Sequence, residues 1–238
     1  MVDHMVNPVN QADVDLFNLV TLLQQADSFF PSGSVSFSWG LESLVSEQII
    51  QTPTDLHSFM TGQLHYRWAS GDRAILAAAY QAGDDLTAIH HADIMQDAMT
   101  LAKELRTGSC RAGAALLNVH AQLQTPNAQA YLEQVRSQHT PGHLAVVQGL
   151  IGHSLRLSLE QACLLAGYSF CVNVLSAAIR LSVIGHLDSQ RILGALRPTL
   201  VAIAVTPPPP LEMAHAYAPM LDIASAHHEH QPSRLFSN

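Results

Sequence analysis

The stretch ACLLAGYSFCVNVLSAAI, residues 162–179, carries no charge and is long enough to be weighed as a membrane span. Against that reading, Tyr168, Ser169, Asn173 and Ser176 lie inside the run, and Glu160 and Arg180 bound it. A helix buried on all sides of a bundle has the same signature, and that is the reading adopted here. It commits the chain to a helical core.

The flanking sequence agrees. The segment before it, from His143, reads as helix with a brief turn near Leu155 to Ser158, and beyond it Asp188 is placed to cap SQRILGALRPTLVAIAV, where Pro198 predicts a kink. Toward the N-terminus, Leu16, Leu19, Val20, Leu23 and Ala26 share one 3.6-period face of LFNLVTLLQQA. Thr54 is a candidate N-cap for a helix through Leu56, Phe59, Met60, Leu64 and Trp68, which Gly71 should end. DRAILAAAYQ (72–81) and the long segment 85–123 are rich in good helix formers, the latter with a bend or break near Gly108. TPNAQAYLEQVRSQHTPG (125–142) holds a short helix between turn signals.

No stretch shows period-2 alternation with hairpin turns, so the expected fold is all-α: one helical-bundle domain of roughly eight to ten helices. The expected organisation is a disordered arm over 1–14, the bundle over 15–206, and a tail over 207–238. TPPPP at 206–210 sets the last boundary, because consecutive prolines cannot continue a helix and impose an extended segment. The tail, with its histidines and terminal Arg-Leu-Phe, reads as awaiting a partner.

Composition narrows the function. With 48% apolar and 13% charged residues, much of the surface must be uncharged or apolar. A net charge of −8 with only 11 Lys and Arg gives no basic field for nucleic acid or an anionic membrane. Cys110, Cys163 and Cys171 are odd in number and lack CxxC spacing. The last two, on one helix, stand about 12 Å apart along its axis, beyond disulfide reach. A reducing cytosol fits, and the N-terminus has no signal-peptide pattern.

SFFPSGSVSFSWGLESLV, residues 28–45, invites a catalytic reading. Ser36 and Ser38 lack the flanking glycines and preceding strand of a nucleophile elbow. GxxxxGK[ST] is absent, so the phosphate-cradle reading fails as well. Metal is the better chemical candidate. In HHEH, helical spacing would put His227 and His230 on one face, with His228 and Glu229 between them, a set suited to Ni, Zn or Cu. The competing reading is a solvated polar segment. The pair His90 and His91 has no third ligand at fixed spacing.

Four blocks in order resemble the bacterial urease accessory protein UreF family. In LLQQADSFFPSGSVSFSWGLE the matching residues are Pro31, Gly33, Ser38, Gly40, Leu41 and Glu42; in KELRTGSCRAGAALL they are Glu104, Leu105, Arg106 and Gly113. LSAAIRLSVIGHLDSQRILGAL matches through Ser176, Ala177, Arg180, Leu181, Gly185 and Gln190, and the chain ends near Ser233, Arg234, Leu235 and Phe236 as the family does. Ser34, His186 and Ser189 stand where the family usually has Gly, Gln and Gly, and the chain ends Ser-Asn rather than Arg-Ser.

The resemblance implies an all-helical, cytoplasmic homodimer with no catalysis of its own and no tightly bound cofactor. Its implied partners are UreD (also called UreH), the GTPase UreG and the urease apoenzyme, which together insert nickel in a GTP-dependent step. On this reading Pro31, Gly33, Ser38, Gly40 and Glu42 shape a loop presented to partners; Arg180 and Gln190 lie at an interface or in a buried pair; and residues 233–236 dock on UreD. The alternative is a nickel storage or carrier protein using His227, His228 and His230. An enzyme would instead show turnover alone.

Overall fold

The computed structural model describes residues 11–27, 29–31 and 38–228. Among them every regular element is helical, and none is a strand. The all-α expectation holds. In chain order the helices are α1 (Gln11–Ala26), α2 (Leu41–Ser46), α3 (Pro53–Gln63), α4 (Arg73–Ala82), α5 (Leu86–Met99), α6 (Lys103–Gln122), α7 (Ala128–Arg136), α8 (Leu144–Ser154), α9 (Leu159–Arg180), α10 (His186–Val205) and α11 (Pro219–His228). A π-helical segment, Leu64–Asp72, joins α3 to α4, and a single 3-10 turn spans Leu211–Met213.

The bundle is organised around α8, which packs against α4, α6 and α9. Its apolar residues Val146, Val147 and Leu150 have no exposed surface. Two glycines allow the backbones to close. A Cβ at Gly149 would collide with the Leu76 carbonyl of α4, and one at Gly113 of α6 with the Gly142 carbonyl just before α8. Helix α9 is the core helix expected from its uncharged run. It passes by length and composition for a membrane span, yet 61% of its most apolar window is buried within the protein. Cys163 and Cys171 on it are buried free thiols, pushed up by desolvation to about 11 and about 12 respectively.

A buried carboxylate sets where α8 begins. Asp93 of α5 has no exposed surface and accepts hydrogen bonds from the Tyr131 hydroxyl (2.7 Å), the Thr140 hydroxyl (2.6 Å), Gly142 N–H (2.7 Å) and His143 N–H (2.9 Å). Four donors replace the water that the anion gave up. Burial, then the neighbouring Asp93 charge, push the Tyr131 phenol far above its ordinary range.

Several boundaries depart from the sequence reading, each for a local reason. The N-cap of α3 is Thr52 rather than Thr54: Pro53 takes the first helical position, and Thr52 and Asp55 form a reciprocal capping box. Gly71 does not end that helix, because the chain passes through it in π-helical form into α4. The break in 85–123 falls at 100–102 and not at Gly108, which is buried inside α6. Gly185, not Asp188, is the N-cap of α10; Asp188 pairs with Arg191 at 2.9 Å instead. Pro198, where a kink is expected, lies inside α10. Residues 11–14, expected in the arm, form the first turn of α1.

The Pro-led segment is also not a free tail over its described part. Arg73 donates from Nη1 to the carbonyls of Ile203 and Thr206, from Nη2 to Pro207 at 3.4 Å, and from Nε to Ala69 at 3.1 Å. One guanidinium thereby caps the C-terminus of α10 and holds the first prolines. Further on, α11 packs against α2 and α6 and buries Leu221, Ala224 and Ser225. The tail expected over 207–238 is therefore part of the packed unit through α11.

Replacing Asp93 by Ala should destabilise the protein by about 3–5 kcal/mol, since it strands four buried donors at once. Urea unfolding of the purified variant measures this. A loss below about 1 kcal/mol would show that the loop before α8 is held by other contacts.

Candidate functional site

Helix α1 carries the apolar face read from the sequence. That face does not enter the core. Leu16, Phe17, Leu19, Val20 and Leu23 are exposed to between 50% and 70% of their surface. The helix rests on α9. At its C-terminal end the buried His120 of α6 bonds Gln25 Oε1 through Nε2 at 3.1 Å and Thr125 Oγ1 through Nδ1 at 2.9 Å, and its ring lies 5.6 Å from that of Phe30. A Gln carbonyl oxygen can only accept, so Nε2 carries the proton. Desolvation pushes His120 down to about 4.

Beneath this end of α1 lies a cavity of about 300 Å³. Phe30, Trp39, Trp68 and Phe170 supply aromatic walls, and Asp72 and Gln148 are among its polar groups. Trp39 also meets the guanidinium of Arg67, 5.3 Å from its ring. Arg67 stands 3.9 Å from Asp72, whose other oxygen accepts from Gln96 at 3.1 Å.

The predicted residues fall in three places. Ser38, Gly40 and Glu42 are not presented on the surface of this chain: Ser38 and Glu42 are buried, and Gly40, in the left-handed region at φ 75°, lies under Leu221 and Ser225 of α11. The reason is α11 itself, which covers the start of α2. Pro31 is exposed, and Gly33 lies outside the described residues. Arg180 and Gln190 are both exposed at the corner where α9 turns into α10, near the exposed Leu187; neither is a core residue. Ser189, one of the departures from the family pattern, is buried there and donates its hydroxyl to the His186 carbonyl at 2.7 Å. His227 and His228 fall in the last turn of α11. His230, Ser233, Arg234, Leu235 and Phe236 lie outside the described residues.

Sequence reading missed Arg67, Arg73, Asp93 and His143. Each is a polar residue with at least one partner distant in sequence, so no local pattern marks it. His143 has no exposed surface and bonds Ser109 Oγ at 3.1 Å and Asp97 Oδ1 at 3.2 Å. With Cys110 beside it this has the membership of a Cys-His-Asp triad. The geometry is wrong for one. Cys110 Sγ is 3.7 Å from both ring nitrogens, which places the thiol against the ring rather than in line with either nitrogen. Burial, then Asp93 and Asp97, push that thiol up to about 12, so it holds its proton at neutral pH. Among the described residues no group of three or more His, Cys, Asp or Glu side chains is placed to hold a metal ion.

A family model described as UreF matches residues 50–197, from the start of α3 into α10. The chain is 31% identical over 233 residues to the urease accessory protein UreF of Trichodesmium erythraeum (strain IMS101), covering 94% of this chain and 98% of that protein. It is 31% identical over 229 residues to the urease accessory protein UreF of Photorhabdus laumondii, covering 94% and 100%. The chain belongs to the urease accessory protein UreF family. The likeness to these UreF relatives thus extends well beyond the residues that the family model matches.

Burial of His120 beneath the end of α1 makes this UreF protein sensitive to acid. The group's folded pKa of about 4 lies below its ordinary 6.5, so the unfolded chain binds the proton first. The stabilisation is complete above pH 6.5 and is lost as pH falls toward 4, by up to about 3 kcal/mol. In His120→Gln the drop in melting temperature between pH 7 and pH 4.5 should be smaller than in wild type. Equal drops would remove His120 as its source.

Proposed function

We propose that this chain is a non-catalytic maturation factor for urease. It works in the cytoplasm as a homodimer that bridges UreD (UreH) and the GTPase UreG, and this assembly delivers nickel to the urease apoenzyme in a GTP-dependent step. The observation that carries the reading is the likeness, over nearly the whole chain, to proteins called urease accessory proteins. An exposed apolar helix supports it: contiguous apolar surface such as that of α1 is retained in a protein that buries it against something else.

In this reading the partner-facing groups are Pro31 and Gly33 of the loop, Arg180 and Gln190 at the α9–α10 corner, and residues 233–236. Ser38, Gly40 and Glu42 act one layer in, by fixing the start of α2 under α11. Leu235 and Phe236 dock on UreD, each worth about 1.5–3 kcal/mol when buried, and Arg234 pairs with an acidic or carbonyl acceptor there. Nickel is cargo. The set His227, His228 and His230 assists only weakly, because a local ligand set loses about 1–2 kcal/mol for each residue that must be ordered around the metal.

Removing residues 229–238, which leaves α11 intact, should abolish co-purification with UreD and UreG while leaving helix content unchanged. Undiminished capture would refute the docking role of the tail. Arg180→Ala should shift the protein toward monomer or lower urease activation, with a loss of stability no larger than a surface contact is worth, about 1 kcal/mol or less. For nickel, calorimetry on the isolated protein should give micromolar or weaker binding. Submicromolar stoichiometric binding, lost when all three histidines are changed to Ala, would replace this reading with storage or carriage.

A further inference from the structure

The π-helical segment Leu64–Asp72 is nine residues long, and wide helical turns of this kind seldom persist without outside support. This one also buries polar groups at a cost. Arg67 Nη1 is buried with no hydrogen-bond partner, as are Gln63 Oε1 at the end of α3 and Gln96 Oε1 of α5. Something must offset that.

The support comes from the segment after the prolines. His215 N–H donates to the Ser70 carbonyl at 3.1 Å, and Tyr217 N–H donates to the Tyr66 carbonyl at 2.8 Å. Residues 215–217 thus lie along the π-helical turn as an added strand would lie along a sheet edge, and the Tyr66 carbonyl also accepts from the Ser70 hydroxyl at 3.4 Å. Gly71 admits this approach, for a Cβ there would stand 3.1 Å from the His215 carbonyl oxygen. Between the two donors Ala216 is held against Gly71, and from Pro219 onward α11 continues the same segment over Gly40. The π-helical segment reaches inward too. Trp68 and Asp72 line the cavity under α1.

We propose that residues 211–228 form a strap whose backbone amides at His215 and Tyr217 hold residues 64–72 in the π-helical register, so that release of the strap changes the cavity wall at Trp68 and Asp72. The inference is independent of the urease-maturation reading, since it concerns only how two parts of this chain set each other's conformation. Closing the π-helical bonds to α-helical ones would rotate Trp68 and Asp72 relative to α4, because the segment holds more residues per turn than an α-helix can.

The test separates amides from side chains in the full-length protein. His215→Pro and Tyr217→Pro each delete one donor, whereas His215→Ala and Tyr217→Ala keep both. Hydrogen exchange of residues 66–76 should quicken by about tenfold or more in the Pro variants and stay near wild type in the Ala variants, with α6 and α8 unchanged in all. Tryptophan emission, from Trp39 and Trp68 alone, should shift only in the Pro variants. Wild-type exchange in the Pro variants, equal acceleration in the Ala variants, or faster exchange with unchanged emission would each overturn the proposal. Should the Pro variants fail to fold, Gly71→Ala serves instead: its methyl group presses on His215, so exchange of 66–76 must rise while α6 and α8 stay protected, and wild-type exchange there would overturn the proposal equally.

Discussion

A single carboxylate decides how this bundle closes. Asp93 sits where no water can solvate it, and its charge is tolerable only because two hydroxyls and two backbone amides converge on it. Three of those donors belong to the turn that leads into α8, so the anion fixes the direction in which that helix starts. Since α8 is packed against α4, α6 and α9, an error in its start would propagate to each of them. Gly113 and Gly149 matter for the same reason: they remove the methyl groups that would keep α8 from reaching its place.

A second tie, built on a cation, brings the chain's later part back onto this frame. Helix C-termini leave carbonyls without partners, and prolines cannot supply N–H groups to satisfy them. Arg73 solves both problems at the end of α10 by donating to Ile203, Thr206 and Pro207. The strap then leaves in a defined direction and reaches the π-helical turn, where its own amides are satisfied by Tyr66 and Ser70. Arg67 lies at the meeting point, stacked on Trp39 and near Asp72. It also partly offsets the rise that burial imposes on the Asp222 carboxyl of α11.

Stability is distributed unevenly as a result. The core around α8 and α9 is close-packed, while α1 is joined at its C-terminal end by His120, Gln25 and Phe30 and leaves most of its apolar side chains in water. Exposed apolar surface of that kind is costly in a protein that works alone and useful in one that assembles. The membership of this chain in the UreF family gives that surface a context.

From the sequence alone came the helical class, the buried nature of 162–179 and the family, because each rests on local pattern: an apolar run broken by polar residues, 3.6-residue periodicity, and short motifs in a fixed order. The proline block was legible as the end of α10 for the same reason, since a missing N–H acts where it stands. What lay beyond local pattern was decided by tertiary contact. Periodicity showed that α1 has an apolar face but not that the face stays outside; Ser38, Gly40 and Glu42 read as a presented loop because nothing nearby in sequence revealed that α11, some 180 residues later, would cover them. The groups that converge on Asp93 and the carbonyls that Arg73 caps at the end of α10 are likewise distant in the chain, and a buried charge is recognisable only once the groups that satisfy it have been brought together.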